Sequence, residues 1–225
     1  MLPLPLGVRR LLVCVAALVG ALNLSLAADA TTVVWKLDDV KKVGGHPTEV
    51  LGAPRVVDGA VMFDGVHDGL FVSKNPLEGA ASFTIEILFS PAEGGPTEQR
   101  FFHLQDTTDA QWRVMIETRL DGKGHWWLDY YLGSPKGGKA LIDATRLNPT
   151  NAFFWAAVRY DGNTMTSFLN GEKELEATDV KFGPLGPGKL SLGVRQNKVH
   201  WFKGAIREVR FTPAALAAEK LQRVK

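Results

Sequence analysis

Residues 112–132 read WRVMIETRLDGKGHWWLDYYL, which is two runs of alternating apolar and polar residues around Asp121-Gly122-Lys123-Gly124. Alternation with a period of two predicts β-strands that bury one face, and the glycine-containing connection predicts a hairpin. Every second residue then belongs to the buried face: Trp112, Val114, Ile116, Leu120, Trp126, Leu128, Tyr130 and Leu132. We therefore expect this hairpin to form part of a sheet that covers a hydrophobic core.

The same pattern continues on both sides of the hairpin. Short alternating runs are separated by turn sequences such as Asp58-Gly59, Asp161-Gly162 and Asn170-Gly171, whose residues tolerate positive φ. The run over residues 83–89 is the clearest, because its large apolar side chains all fall on one face. About a dozen such strands without alternating helices predict an antiparallel two-sheet sandwich.

Two further expectations concern packing. Thr212 and Pro213 match the preferences for the N-cap and first turn of a helix, and residues 214–223 are rich in Ala, Leu, Glu and Lys. A short C-terminal helix is therefore expected. Trp155 lies in an apolar strand that ends at Tyr160, and we expect its indole to fill the space between the two sheets.

Five motifs resemble, in order, those of laminin-G-like jelly-roll domains. They are VDGAVMFDG (57–65), FTIE (83–86), WAAVRYDG (155–162), FLNG (168–171) and FKGAIREVRF (202–211) followed by Ala215-Leu216, with Arg207 where that family usually has Asp. The resemblance spans roughly residues 33–221. It implies an all-β, concanavalin-A-like jelly roll of two antiparallel sheets, one of them concave. It implies no single activity, because that fold carries lectins, adhesion modules and polysaccharide-degrading enzymes.

The first thirty residues have the pattern of a secretory signal peptide. Arg9-Arg10 precedes an apolar run over residues 11–22, and small residues follow as far as Ala30. The run is about a dozen residues long, whereas a membrane-spanning helix needs roughly 20. We therefore expect residues 1–30 to be removed and residues 31–225 to form one domain. The mature protein is expected to be secreted or periplasmic, with no stable membrane insertion.

Composition excludes several classes of function. The chain has 26 Lys and Arg against 24 Asp and Glu, and a net charge of +2 gives no broad basic field for nucleic acid. The one cysteine, Cys14, lies in the signal segment after Val13, where lipidation would need a small residue. The mature chain therefore has no cysteine for a disulfide or for thiol catalysis.

Glu172, Glu174 and Glu176 are the sharpest catalytic candidate. Retaining glucanases of the fold that the chain resembles carry E-x-D-x-E on one strand, where a period of two points all three carboxylates into the cleft. Here Glu174 replaces the central Asp, and the run begins directly after the Asn170-Gly171 turn. We therefore interpret it as a solvated, charged strand.

The sequence offers no cofactor motif and no convincing metal site. It contains no serine-hydrolase, zinc-protease or phosphate-loop pattern, and the five histidines lack metal-ligand spacing. Asp106 and Asp109 lie in one polar loop, but two carboxylates supply far fewer than the roughly 6–8 oxygens of a calcium site. We expect neither a cofactor nor a metal.

The unburied face of the hairpin carries a different set of side chains. Charged residues and Met115 alternate along its first strand, and Trp127, Asp129 and Tyr131 along its second. Burial of Phe102, Leu104 and the apolar residues of 190–194 would turn His103 and Arg195 to the same face. The predicted ligand site therefore comprises His103, Arg113, Glu117, Arg119, Trp127, Asp129, Tyr131 and Arg195.

These residue types suit a glycan, because aromatic rings stack on sugars and arginine forks bind carboxylate or sulfate. Since cationic groups outnumber the two carboxylates, the pattern favours an anionic polysaccharide over a neutral one. The leading hypothesis is non-catalytic recognition of a carbohydrate or an extracellular partner. The alternatives are a polysaccharide hydrolase or lyase, a protein adhesion module, and a solvated face of cross-strand Arg–Glu pairs. Convergence of Glu117, Asp129 and His103 in an open groove would favour an enzyme, and pairing with arginines a binding or structural role.

The signal-peptide assignment predicts cleavage between Ala27 and Thr31, because only there does the apolar run meet small residues. Mass spectrometry of protein collected outside an expressing cell should give a mature N-terminus inside this window. An intact Met1, or a lipid on Cys14, would contradict the assignment.

Overall fold

The computed structural model describes residues 30–224. They form two antiparallel sheets of eight strands each, as the alternating pattern predicted. The signal segment and Cys14 lie outside the described residues. In this range no helix has the length and apolar character needed to cross a membrane.

Sheet A contains the N-terminal and C-terminal strands of the sandwich. Its spatial order is β14 (Glu172–Ala177), β13 (Met165–Leu169), β12 (Phe154–Tyr160), β6 (Phe83–Pro91), β16 (Lys203–Thr212), β4 (Ala60–Asp64) and β3 (Arg55–Val57), with β1 (Val33–Lys36) also paired to β16. Because β6 lies between β12 and β16, strands distant in sequence become neighbours at its centre.

Sheet B contains the hairpin from which the fold was inferred. Its spatial order is β10 (Gly137–Ile142), β9 (His125–Ser134), β8 (Arg113–Leu120), β7 (Glu98–Asp106), β15 (Gly188–Leu192), β5 (Gly69–Val72) and β2 (Thr48–Leu51), with β11 (Asn148–Pro149) also paired to β9. The hairpin β8–β9 is closed by Asp121, whose carboxylate accepts the N–H groups of Lys123 and His125. Gly122 and Gly124 both have positive φ, so the predicted turn residues are used as expected.

The two sheets enclose a core that is rich in aromatic side chains. Phe89 of sheet A stacks on Phe101 of sheet B, with ring centroids 4.3 Å apart, and meets the edge of Trp126 at 5.3 Å. Trp126 is fully buried, and its Nε1–H donates to the Pro149 carbonyl at 2.9 Å. The hairpin residues assigned to the buried face all pack in this core, with Trp112 at its margin. That part of the prediction is confirmed.

Trp155 does not fill the inter-sheet space. The residues of β12 that join the inter-sheet core are Ala156, Val158 and Tyr160, whereas Ala157 packs with Phe168 on the outer side of sheet A. By alternation Trp155 belongs to that outer side, where it is nevertheless buried. The expectation was wrong because apolar residues occupy both faces of this strand, so the sequence does not distinguish its two phases.

The expected C-terminal helix is also absent from the described residues. The segment after β16 contains a single 3-10 turn, η2 (Ala218–Lys220), and otherwise runs extended over the outer face of sheet A. Leu221 packs against Phe168 there, and the buried carboxylate of Glu86 accepts the Gln222 N–H at 2.7 Å. These tertiary contacts outweigh the weak helix propensity of the sequence.

Trp126→Ala is expected to destabilise the protein by about 3–5 kcal/mol, because it removes a fully buried indole from between Phe89 and Phe154. Trp127→Ala is the matched control, since Trp127 is the next residue on the same strand but is partly exposed on the opposite face. Denaturant unfolding of both variants measures the difference. Equal losses would contradict the assignment of the two faces.

Candidate functional site

The candidate site lies on the outer face of sheet B, the face turned away from the core. The strand register places Arg119 opposite Trp127 and Glu117 opposite Asp129. Met115 lies between Tyr131 and His103 on the adjacent strands. Arg195 follows β15 and comes close enough to affect the pKa of His103. The structure therefore brings the eight predicted site residues onto one face.

These eight residues differ in exposure. His103, Glu117 and Asp129 are buried, with 1%, 2% and 7% of their surface exposed, so the expectation that they face solvent was wrong. The segment after β15 covers part of this face, because the Gln196 N–H donates to His103 Nδ1 at 3.2 Å. The partly exposed residues are Arg113, Arg119, Trp127, Tyr131 and Arg195.

Five charged residues form an ion-pair network across three strands of this face. Arg119 contacts Glu98 at 2.5 Å, Asp129 at 2.6 Å and Glu117 at 3.3 Å. Arg100 contacts Glu117 at 2.8 Å and Glu98 at 3.0 Å. Two arginines thus face three carboxylates, so this part of the face has no surplus positive charge. Arg119 is in contact with all three carboxylates, so the expectation that it is free to bind an anionic ligand was wrong.

Burial shifts the pKa of two of these buried groups, Glu117 and His103. It raises the pKa of Glu117 to about 7, because the attraction of Arg100 and Arg119 does not offset desolvation and the repulsion of Asp129. Burial and the positive charges of Arg195 and Arg113 lower the pKa of His103 to about 3. His103 is therefore neutral near pH 7, and the expectation that it adds positive charge was wrong.

Arg113 and Arg195 stand apart from this network. Among residues 30–224, neither forms an ion pair with a carboxylate. The Arg113 guanidinium lies 5.1 Å from the centre of the Tyr131 ring and donates to the Ala110 carbonyl at 3.1 Å. We call these two residues the arginine pair.

Trp127 and Tyr131 are the aromatic groups of the face. They lie on the same side of β9 with Asp129 between them, and four residues at about 3.3 Å each separate their Cα atoms by about 13 Å. Tyr131 lies against the sheet, because a Cβ at Gly133 would come within 2.7 Å of its ring and a Cβ at Gly138 would overlap its hydroxyl. The two rings are therefore separate platforms on one face.

Sequence reasoning missed Arg100 and Glu98. A bulge in β7 interrupts its register with β8 between Arg100 and Phe102, and both Phe101 and Phe102 point into the core. Strict alternation counted from Phe102 would have turned Arg100 inward. The adjacent residues Phe101 and Phe102 are the sequence signal that could have located the bulge, because two neighbouring large apolar side chains break strict alternation.

The glutamates of β14 do not converge. A register shift on the neighbouring strand pairs Lys173 with Phe168 and Leu175 with Ser167, which leaves Glu174 without a partner in the ladder. The three carboxylates therefore do not follow one period-two face. Glu172 and Glu176 are exposed, as expected for a solvated strand, whereas Glu174 is half-buried and burial raises its pKa to about 7.

A depression lies away from this face, near β3 and β4, and its lining includes Asp64 and Asp68. Asp64 accepts the N–H groups of Val66, His67 and Asp68. Asp68 in turn accepts the N–H groups of Ala53 and Asp64. These carboxylates hold loop backbone in place, so we assign the depression a structural role.

A two-sheet sandwich with aromatic and arginine side chains on the outer face of one sheet defines a protein of the lectin and glucanase class. A laminin-G family model, described as the concanavalin A-like lectin/glucanases superfamily, matches residues 64–222, which is more than half of the chain. The chain belongs to this family. No curated protein matches its sequence.

Solved structures share the fold at low sequence identity. Domain 4 of AbnA, an extracellular arabinanase from Geobacillus stearothermophilus solved with arabinotriose, matches with a TM-score of 0.63 and 18% identity over 85% of this chain and 97% of that domain. The receptor-binding domain of botulinum neurotoxin C/D mosaic serotype matches with a TM-score of 0.62 and 12% identity over 84% of this chain. This chain spans 49% of that toxin domain.

Glu117→Gln should change how stability depends on pH. The pKa of Glu117 is about 7 in the folded protein and 4.5 as the reference for the unfolded chain, so folding disfavours its ionised form. Wild-type stability carries a penalty that grows as pH rises from about 4.5 to 7, and glutamine lacks it. The free energy of unfolding of the variant relative to wild type should therefore rise by on the order of 2–3 kcal/mol from the low to the high end of this range, separately from the cost of altering the contacts with Arg100 and Arg119.

Chemical denaturation at pH 5 and pH 8 measures this relative gain. Glu172→Gln, which removes an exposed carboxylate on β14, is the control and should follow wild type at both values. A Glu117→Gln variant that loses stability relative to wild type as pH rises would contradict the assignment.

Proposed function

We propose that this protein is a secreted, non-catalytic module that binds carbohydrate on the outer face of sheet B. The observation that carries the proposal is the placement of Trp127 and Tyr131, two partly exposed aromatic rings on one side of β9. Sugar rings stack on such surfaces, and a separation of about 13 Å suits an oligosaccharide longer than one ring. Secretion rests on the signal-peptide pattern of residues 1–30.

The residues between these two rings support the same proposal. Strand hydrogen bonds and the ion-pair network hold Glu117 and Asp129 in fixed positions between the two platforms. A face that is rigid before binding loses little conformational entropy when the ligand arrives. The two aromatic rings therefore keep their spacing before binding, and a ligand long enough to reach both can contact them without rearranging the sheet.

The carboxylates of this face support binding over catalysis. A glycosidase needs one carboxyl group as acid and another as base or nucleophile, both directed at the scissile bond. Glu117 and Asp129 instead contact arginines, and His103 is buried beside Gln196. This pairing favours the binding interpretation over the hydrolase or lyase alternative.

The fold relatives are consistent with a sugar ligand. The arabinanase domain was solved in complex with arabinotriose, and a binding domain of botulinum neurotoxin DC was solved in complex with SialylT. That second domain matches with a TM-score of 0.60, 10% identity and coverage of 84% of this chain, and this chain spans 49% of it. An extracellular protein partner is the competing candidate, since other matches are receptor-binding domains of toxins.

Trp127→Ala should weaken binding to any sugar ligand by about tenfold, the equivalent of about 1.4 kcal/mol, because it removes one stacking platform. A glycan array identifies ligands, and isothermal titration of the variant measures the loss. Phe153→Ala is the control, since Phe153 is a partly exposed aromatic residue beside Arg207, distant from this face. Unchanged affinity in Trp127→Ala would contradict the proposed site.

A reducing-sugar release assay on the glycans that bind tests the absence of catalysis. We expect no release above that of a heat-denatured sample. Release by wild type would contradict the non-catalytic role, and the absence of any glycan ligand would favour a protein partner.

A further inference from the structure

The outer face of sheet B is electrically uneven. At one end, the ion-pair network sets two arginines against three carboxylates. At the other end, Arg113 shares a cross-strand row with Gln105 and Lys189. Arg195 lies between the two ends, beside Gln196, whose N–H donates to His103. Among residues 30–224, none of these three cations is paired with a carboxylate. The unpaired positive charge of the face therefore lies outside the network, on Arg113, Lys189 and Arg195.

Arg195 is repelled by cations on both sides of it. Burial lowers the pKa of Arg195, and the positive charges of Arg100 and Arg113 lower it further. Glu117 is the carboxylate whose attraction acts against this, but it is already in contact with Arg100. A negative charge placed beside the arginine pair would relieve this repulsion in a partly desolvated setting, where electrostatic interactions are strong.

Two buried nitrogen atoms near these cations also lack a hydrogen-bond acceptor within residues 30–224. Arg113 Nε and His103 Nε2 are both buried, and neither has a hydrogen-bond partner in the described part of the chain. His103 Nδ1 accepts the Gln196 N–H, so the proton of the neutral ring is on Nε2. His103 is 1% exposed and therefore acts on a ligand through its N–H dipole rather than by contact. Both orphan donors add to the positive potential at the arginine pair.

We propose that Arg113 and Arg195 bind an oxyanion, a carboxylate or a sulfate, that the bound glycan carries. This inference rests on the proposed function and adds the chemical class of the ligand. The planar guanidinium fork matches both oxyanions through paired hydrogen bonds. Tyr131, whose ring lies 5.1 Å from the Arg113 guanidinium, would then pack against the sugar that bears the charge.

The assignment separates the two sets of arginines on this face. Arg119 contacts Glu98, Glu117 and Asp129, so its donors are already engaged. Replacing Arg113 or Arg195 breaks no ion pair of the described structure, whereas replacing Arg119 would leave the buried carboxylate of Asp129 without its ion-pair partner. The arginine pair can therefore be altered with little effect on the fold.

The test titrates wild type with three oligosaccharides of equal length: a neutral galactan, an oligogalacturonate and a sulfated galactan. Wild type should bind at least one anionic ligand about tenfold more tightly than the neutral one at low salt, and added salt should reduce the difference. Comparison of the uronate with the sulfate identifies which oxyanion the site takes.

Arg113→Ala and Arg195→Ala should each remove most of the preference for the anionic ligand, because each should reduce affinity for that ligand by a much larger factor than affinity for the neutral one. Arg113→Lys and Arg195→Lys keep the charge and should recover part of the preference, which would mark the loss as electrostatic. Arg55→Ala, which removes an exposed arginine from β3 of the other sheet, is the control and should behave as wild type.

Two outcomes would overturn the inference in different ways. Equal affinity of wild type for neutral and anionic ligands, or equal losses for both in the alanine variants, would reject the oxyanion site and leave carbohydrate binding in place. No binding of any sugar by wild type, on these ligands and on the array, would reject the proposed function and the oxyanion site together.

Discussion

The ion pairs between Arg100, Arg119 and their carboxylates are the constraint on which sheet B depends. They connect three adjacent strands, because Glu98 and Arg100 lie on β7, Glu117 on β8 and Asp129 on β9. Buried charges are tolerated only when they are paired, and loss of one partner typically costs about 3–5 kcal/mol. A slip of one residue between β7 and β8 would turn Glu117 into the core. The network therefore penalises incorrect registers as well as joining the strands.

Because of this constraint, the side chains that stabilise the sheet differ from those that are free to contact a ligand. Most residues that hold the sheet together lie beneath the surface, as the 2% exposure of Glu117 illustrates, whereas Glu98 of the same network is exposed. Residues that are free to contact a ligand lie at the margins: Trp127 beside the network, and Tyr131 with Arg113 at the other end. Marginal residues can therefore change without loss of the fold, which agrees with the variety of ligands that one fold family can accept.

The sequence predicted most of this arrangement where alternation is strict. On β8 and β9 every second residue was assigned to the correct face, because a single apolar face leaves only one register compatible with burial. On β7 alternation holds for Phe102, His103 and Leu104, but it does not extend to Arg100, since the bulge before Phe102 shifts the phase by one residue. It also failed for Trp155, whose strand is apolar on both faces. In the case of Trp155 the local pattern does not distinguish the two faces.

The sequence predicted which residues lie on the candidate face better than it predicted which of them are exposed to solvent. His103 was correctly placed on the face, but the segment that covers it comes from Gln196, which is 93 residues away in sequence. The paired state of Arg119 likewise depends on Glu98, a residue that alternation had not related to it. The C-terminal segment departed from its helix propensity for the same reason, because Glu86 and Phe168 hold it in an extended form.

The path of that C-terminal segment determines how the molecule can be oriented on a support. Because residues after β16 run over the outer face of sheet A, the chain reaches Val224 on the side opposite the aromatic platforms. A biotin or other tether attached beyond Val224 would emerge from that opposite side. Molecules immobilised in this way would present the arginine pair and both rings to the solution. The same polarity would keep a fused cargo on the side opposite the outer face of sheet B, clear of whatever binds there.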